Sequence, residues 1–264
     1  MADSDFAGGS AASGIWTERF KVHSYDVDSG RQATLEAVCR WFQEAAWNHA
    51  EALGVGYERL GRDNKFWVLS RLAVRVERAA LWGETLRIET WPLAGRAVFA
   101  WRHFEIFDER GARVAGGASA WLVLDLRARK PQRVDKLLSS IPIFPERRAL
   151  DAEPPKLPAP ASTTAGVSRV ATYSDVDVNR HVNGARYIGW LLDSYPFEFH
   201  ATHRPVLLEA NYLGETLGGE SVSVVACETA PGDYSHSILK ANGDEVFRAR
   251  LLWSAPGNGS RDVI

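Results

Sequence analysis

A short polar motif at residues 175–183 (DVDVNRHVN) has a diverged copy that begins 149 residues earlier, at Asp26, and reads DVDSGRQAT. The two copies share their aspartates, one valine, the arginine and a later tryptophan. The matched pairs are Asp26 and Asp175, Val27 and Val176, Asp28 and Asp177, Arg31 and Arg180, and Trp41 and Trp190. A chain of 264 residues can hold two domains of about 130 residues each. The repeat therefore predicts two versions of one module.

The two copies differ in their polar side chains. Asp177, Asn179 and His181 stand at every second position of the later copy, and an extended segment would direct all three to one side. The earlier copy has Gly30 and Gln32 in place of the asparagine and the histidine. This asymmetry places the candidate functional site in the second module only.

Both modules show the same order of predicted elements: a strand, a helix, and then four strands with a period near two. In the first module the predicted helix begins after Thr34 as N-cap and ends at Gly54. In the second module it begins near Asn183. The predicted strands are 16–25, 66–76, 85–92, 99–107 and 115–126 in the first module, and 168–173, 205–212, 221–228, 234–241 and 245–253 in the second.

This order predicts an α+β fold in which each module wraps an antiparallel sheet around one long helix, and a duplicated pair would stack with pseudo-twofold symmetry. Four prolines between residues 153 and 161 indicate a stiff linker between the modules. The predicted organisation is a flexible N-terminus (1–14), a first module (15–145), a proline-rich linker (146–167), a second module (168–256) and a flexible tail (257–264).

Composition narrows the function classes. The net charge of −2 gives no global field for binding nucleic acid. Cys39 and Cys227 are too few and too isolated to predict a disulfide framework or a metal site. The first fourteen residues have no basic side chain, which argues against a signal or transit peptide, and no apolar run has the length of a membrane span. We expect a protein of the cytoplasm that does not bind membranes.

Three segments carry a resemblance to a known family. Residues 173–190 (YSDVDVNRHVNGARYIGW) resemble the signature of the acyl-acyl carrier protein thioesterases, which have a double hotdog fold. Residues 121–133 (WLVLDLRARKPQR) are similar to the strand and basic turn that close the first hotdog of that family. Residues 212–216 (YLGET) resemble a later segment with an acidic residue.

The resemblance implies a set of catalytic residues: Asp177, Asn179, His181 and Glu215. In the plant enzymes a cysteine follows the acidic residue, whereas this chain has Thr216. That difference argues against a cysteine–histidine mechanism here. The resemblance also implies that the first hotdog holds the acyl chain.

Thioester hydrolysis needs an activated water and a donor for the developing oxyanion. Glu215 is the favoured general base, with Asp177 accepting hydrogen bonds that hold the site, and the reverse assignment stays open. Asn179 is suited to position the water or the substrate carbonyl, and His181 to polarise the carbonyl or share the proton. The start of the following helix, at Asn183 and Gly184, is expected to offer unpaired backbone N–H groups to the oxyanion.

A local basic cluster follows residue 126. Its members are Arg127, Arg129, Lys130, Arg133 and Lys136. Arg129 and Lys130 are the residues we assign to an acidic carrier protein or to the phosphate of its phosphopantetheine arm. The alternative is a solvated turn that keeps a sheet edge soluble.

The sequence thus favours an acyl-acyl carrier protein thioesterase that releases free fatty acid without a metal or other cofactor. Two alternatives stay open: an acyl-CoA or aryl-CoA thioesterase of the same fold, and a non-catalytic module that binds acyl thioesters. The sequence does not determine the preferred chain length or whether the protein forms a homodimer.

Overall fold

The structure is a computed structural model that describes residues 14–128, 130–160 and 166–254. It divides into two compact units, with the division between Lys156 and Leu157. One short segment departs from this order, because Glu209–Tyr212 belongs to the first unit. Within the described ranges, no helix is both long enough and apolar enough to cross a membrane.

Among the described residues, the first unit contains three helices and six strands. The helices are α1 (Leu35–Ala52), α2 (Tyr57–Arg62) and α3 (Asp135–Leu138), and the strands are β1 (Trp16–Lys21), β2 (Lys65–Val76), β3 (Thr85–Pro92), β4 (Phe99–Phe107), β5 (Arg113–Asp125) and β6 (Lys130–Gln132). Antiparallel pairing gives the sheet order β1-β3-β4-β5-β2, with β6 beside β5.

The long helix α1 packs its apolar side on this sheet. Thr34 caps the helix, since its hydroxyl accepts a hydrogen bond from the Ala37 N–H at 3.1 Å. Phe42 is buried and stacks on Phe104 of β4 with ring centroids 4.5 Å apart. Burial of one such phenylalanine contributes about 1.5–3 kcal/mol. Gly117 of β5 lies under the Phe42 ring, where a side chain has no room.

In its described part, the second unit repeats the plan with two helices and five strands. The helices are α4 (Gly184–Leu192) and α5 (Phe197–Thr202), and the strands are β7 (Val167–Val170), β8 (Arg204–Tyr212, whose last four residues belong to the first unit), β9 (Ser221–Ala230), β10 (Asp233–Lys240) and β11 (Glu245–Ser254). The sheet order is β8-β11-β10-β9-β7. Asn183 caps α4 through a 2.8 Å hydrogen bond from the Ala185 N–H. Tyr187 of this helix stacks on Phe247 of β11 at 5.2 Å.

The α+β prediction is confirmed, and the predicted N-cap at Thr34 and the predicted start of the second helix near Asn183 are correct. Two strand ends are wrong: the predicted strands 16–25 and 168–173 stop at Lys21 and Val170, because the backbone then turns into 3-10 helices at Ser24–Asp26 and Tyr173–Asp175. The sequence analysis missed four short elements, α2, α3, α5 and β6. Each has six residues or fewer, which is too short for a periodic pattern to be visible.

Gly117→Ala should destabilise the first unit by about 1–3 kcal/mol, because its new Cβ would lie 2.3 Å from Phe42 Cε2 in a packed core. Urea denaturation checks the change. Gly61→Ala is the matched control, since it meets nothing within 4 Å and lies in α2. That control should leave stability equal or raise it by up to about 1 kcal/mol. Equal stabilities of the two variants would contradict this packing.

Candidate functional site

The polar motif of the second unit forms a tight loop. After the 3-10 turn Tyr173–Asp175, the Asp177 N–H donates to the His181 carbonyl at 2.9 Å, and Val176 forms a β-bridge with Val182. Arg180 has a φ of 65°, in the left-handed region. The expectation that Asp177, Asn179 and His181 project from one side of an extended segment is therefore wrong.

The carboxylate of Asp177 explains the turn. Its Oδ1 accepts a hydrogen bond from the Asn179 N–H at 2.8 Å, an Asx turn that competes with an extended backbone. Asp177 is half-buried, whereas Asn179 at the tip of the loop is exposed. One oxygen of Asp177 thus has a structural role in the loop.

His181 and Glu215 face each other across this loop. His181 Nε2 lies 3.4 Å from Glu215 Oε2, and their side chains are 33% and 58% exposed. The backbone brings them together, because the Val182 N–H donates to the Thr216 carbonyl at 2.8 Å and His181 forms a β-bridge with Leu217. The result is a solvent-accessible carboxylate–imidazole pair, an arrangement suited to proton transfer.

Asp175 anchors the loop to the helix that follows it. The Asp175 side chain is buried and accepts hydrogen bonds from the Thr172 N–H and hydroxyl, both at 2.7 Å, and from Arg186 Nε at 2.8 Å. Burial alone would raise the pKa of Asp175. The hydrogen bonds from Thr172 and the ion pair with Arg186 outweigh burial and leave this pKa below its usual value. The sequence analysis recognised Asp175 only as a repeated residue.

The start of α4 differs from the expectation. The Ala185 N–H is occupied by Asn183 Oδ1, and the Arg186 N–H donates to the Asn183 carbonyl at 2.9 Å. The Asn183 N–H also donates, to the Asp175 carbonyl at 2.9 Å, so these three N–H groups are already paired. Gly184 is the first helical residue. The Asn183 side chain uses Oδ1 to cap the helix, and its Nδ2 group is the part that can donate to a substrate carbonyl.

The first unit contains the same loop without the same chemistry. Asp28 Oδ1 accepts from the Gly30 N–H at 2.9 Å and from the Gln32 N–H at 3.1 Å, and Arg31 has a φ of 59°. The backbone fold therefore does not require asparagine or histidine at these positions.

Matching backbone hydrogen bonds in the two units show which residue of the first unit corresponds to Glu215. The Ala33 N–H donates to the Ala80 carbonyl at 2.8 Å, which is the counterpart of the bond from Val182 to Thr216. Ala79 therefore occupies the position in the first unit that Glu215 occupies in the second. Aligning the turns at Gly83 and Gly219 in the sequence predicts the same correspondence. The first unit has neither partner of the carboxylate–imidazole pair.

Neither cysteine has the character of a reactive thiol paired with His181. Cys39 is buried in α1, and burial raises the pKa of its thiol, which disfavours the reactive thiolate. Cys227 lies inside β9. Thr216, at the position of the plant cysteine, is fully buried.

The basic cluster lies at and beyond the end of β5. Lys130 begins β6 and is exposed. Arg133 is exposed and forms an ion pair with Asp135 at 2.9 Å. Arg129 lies outside the described residues.

Comparison with known proteins identifies the fold first. The structure resembles an acyl-ACP thioesterase from Bacteroides thetaiotaomicron with a TM-score of 0.82 and 27% identity, covering 93% of this chain and 100% of the other. It also resembles a 12:0-ACP thioesterase from Umbellularia californica, with a TM-score of 0.78 and 25% identity over 91% and 97% of the two chains. The protein thus has the double hotdog fold expected from its sequence.

The sequence matches identify the family. Residues 14–141 match the acyl-ACP thioesterase N-terminal domain, and residues 167–255 match the C-terminal domain. The chain belongs to the acyl-ACP thioesterase family. A chloroplastic acyl-[acyl-carrier-protein] hydrolase of Cuphea viscosissima is 28% identical over 95% of this chain. The chain spans 65% of the length of that relative.

Asp175→Asn should lower stability at neutral pH by about 1–3 kcal/mol, because it leaves Arg186 without its anionic partner. The folded pKa of Asp175 is below the unfolded value. Its contribution is therefore present above the unfolded pKa and is lost as the pH falls through the folded pKa. Unfolding titrations between pH 7 and pH 3 should show the variant converging on the wild type at low pH.

The control for this prediction is Asp193→Asn, which removes an exposed carboxylate 3.6 Å from Arg169. Its effect should be below about 1 kcal/mol at every pH. If the difference in unfolding free energy between Asp175→Asn and the wild type stayed constant down to pH 3, the role assigned to the charge of Asp175 would be contradicted.

Proposed function

We propose that this protein hydrolyses the thioester of fatty acyl-acyl carrier protein and releases free fatty acid and the carrier. The observation that carries the proposal is the pair of His181 and Glu215, 3.4 Å apart, on a loop whose counterpart in the first unit has neither residue. Membership of the acyl-ACP thioesterase family and the names of its relatives support the same reaction.

Glu215 is the proposed general base. Its exposed carboxylate takes a proton from a water molecule, the water oxygen attacks the thioester carbonyl carbon, and a tetrahedral oxyanion forms. Collapse of this intermediate breaks the C–S bond, and the thiolate of the phosphopantetheine arm leaves and takes up a proton. His181, in contact with Glu215, polarises the carbonyl or shares the proton.

Asp177 and Asn179 have supporting roles in this proposal. Asp177 holds the loop by accepting the Asn179 N–H, which is the role the sequence analysis favoured for it. The exposed Asn179 amide positions the water or the substrate carbonyl. Asn183, through its Nδ2 group, and Gly184 remain proposed substrate contacts at the start of α4.

Substrate and carrier are assigned to different parts of the chain. The first unit, without the polar set, is proposed to hold the acyl chain. Lys130, with Arg129 beside it in sequence, is proposed to bind the acidic carrier. Location in the cytoplasm remains a prediction, and the Cuphea relative is described as chloroplastic.

Glu215→Gln and His181→Ala should each reduce turnover of acyl-acyl carrier protein by about 10²- to 10⁴-fold, because each removes one member of the proton-transfer pair. Release of free thiol measures the rate. Gln32→Ala changes the first-unit counterpart of His181 and should retain wild-type turnover. Wild-type rates for both site variants would contradict the assignment, and binding of the thioester without thiol release by the wild type would indicate a binding module.

Charge reversal of Arg129 and Lys130 to glutamate should raise the KM for acyl-acyl carrier protein while leaving the KM for the matching acyl-CoA nearly unchanged. Docking of an acidic carrier protein depends on long-range charge attraction, which salt screens. The wild-type KM for acyl-acyl carrier protein should therefore rise with salt concentration. Lys21→Glu, an exposed change on β1, is the control. Equal loss on both substrates, or a wild-type preference for acyl-CoA, would contradict the carrier assignment.

A further inference from the structure

The segment that carries Glu215 is held through its backbone. The Glu215 side chain is 58% exposed, so the surrounding core does not pack it in place. The Gly214 N–H donates to the Val246 carbonyl at 3.0 Å, and the Thr216 carbonyl accepts from the Val182 N–H at 2.8 Å. The direction of the carboxylate therefore depends on the peptide that joins Glu215 to Thr216.

Tyr187 of α4 reaches this peptide from the interior of the second unit. Its side chain is buried. The ring stacks on Phe247 with centroids 5.2 Å apart and meets Trp190 edge-on at 5.5 Å. Packing on two sides fixes the ring, and with it the position of the tyrosine hydroxyl.

The Tyr187 hydroxyl lies against both hydrogen-bond donors of Thr216, the side-chain hydroxyl and the backbone N–H. Thr216 is fully buried, and no other described group pairs with its hydroxyl. Burial raises the pKa of Tyr187, the two contacts with Thr216 oppose that rise, and the negative charge of Glu215 adds to it. The tyrosine is thus close enough to Glu215 to respond to its charge.

The first unit has neither of these hydroxyls. The offset of 149 residues between the two copies of the motif puts Val38 at the position of Tyr187. The matching backbone hydrogen bonds put Ala80 at the position of Thr216. Both replacements are buried, so the same fold packs without a hydroxyl at either place. The two hydroxyls accompany Glu215 and are not a requirement of the fold.

We propose that Tyr187 is a positioning residue for Glu215, which it holds through the hydroxyl and N–H of Thr216. This inference rests on the proposed function, in which Glu215 is the general base. A general base must lie within hydrogen-bond reach of the water that it deprotonates. Since the carboxylate itself is exposed, a hydroxyl fixed in the core restricts it through the backbone. A misplacement of about 1 Å costs up to about 10²-fold in rate.

The first test is the rate of thiol release by Tyr187→Phe, which keeps the ring on Phe247 and removes only the hydroxyl. Its kcat for acyl-acyl carrier protein should fall by about 10- to 100-fold, because the general base is misplaced. Its KM should stay within about twofold, because the hydroxyl does not bind substrate.

Substitution of Thr216 tests the other side of the contact. Thr216→Val should also lower kcat, whereas Thr216→Ser, which retains a hydroxyl, should stay near the wild type. The double variant Tyr187→Phe/Thr216→Val should lose less than the product of the two single losses, because both changes remove the same contact. Full multiplication of the two losses would contradict a shared contact.

Tyr195→Phe is the matched control for loss of a buried hydroxyl. The Tyr195 hydroxyl lies 2.8 Å from His236 Nε2 in the same unit, and burial raises the pKa of Tyr195 as it does that of Tyr187. Tyr195→Phe should lower the melting temperature and leave kcat unchanged. An equal loss of kcat in Tyr195→Phe and Tyr187→Phe would mean a structural effect alone and would overturn the proposal.

A second readout does not depend on turnover. The imidazole resonances of His181, measured by NMR at fixed pH, report the neighbouring carboxylate, and Glu215→Gln gives their position without its charge. Tyr187→Phe should move these resonances toward the Glu215→Gln position, and Tyr195→Phe should leave them in place.

The two readouts separate failure of the proposed function from failure of this inference. A wild type that releases no thiol would refute the proposed hydrolysis, whereas the His181 resonances would still test whether Tyr187 holds Glu215. Wild-type kcat together with wild-type His181 resonances in a folded Tyr187→Phe variant would overturn the positioning role.

Discussion

In both units, a buried aspartate joins the loop of the repeated motif to the start of the helix that follows it. Asp26 and Asp175 each accept the N–H three residues earlier through their side chain, and each backbone carbonyl accepts the N–H of the residue that caps the helix. Each also forms an ion pair with an arginine of its helix. Because the loop begins at this anchor, every side chain that follows it, including His181, is positioned by a contact that is itself buried.

The two units show how one backbone serves two purposes. Asp28 and Asp177 accept backbone hydrogen bonds in equivalent turns, although the first turn carries glycine and glutamine where the second carries asparagine and histidine. The fold therefore tolerates either set of side chains, so stability does not explain why the second unit carries the polar set. The proposed proton transfer by Glu215 and His181 supplies an explanation, since neither side chain is buried.

The interiors of the two units contain different side chains between the helix and the sheet. The second unit packs Tyr187 on Phe247 between helix and sheet, an aromatic core. The first unit encloses the guanidinium of Arg102 against His49, whose Nε2 has no partner among the described residues.

The sequence by itself determined the repeat, the order of the main elements, the starts of both main helices and the unit that carries the polar motif, because these depend on local periodicity and on single capping residues. The tertiary structure decided the rest. It showed that the motif is a turn, that Glu215 meets His181 through the bond from Val182 to Thr216, and that Arg102 is buried against His49. The contacts of His181 with Glu215 and of His49 with Arg102 join segments more than thirty residues apart, through strand register and helix packing. A local pattern does not contain that information.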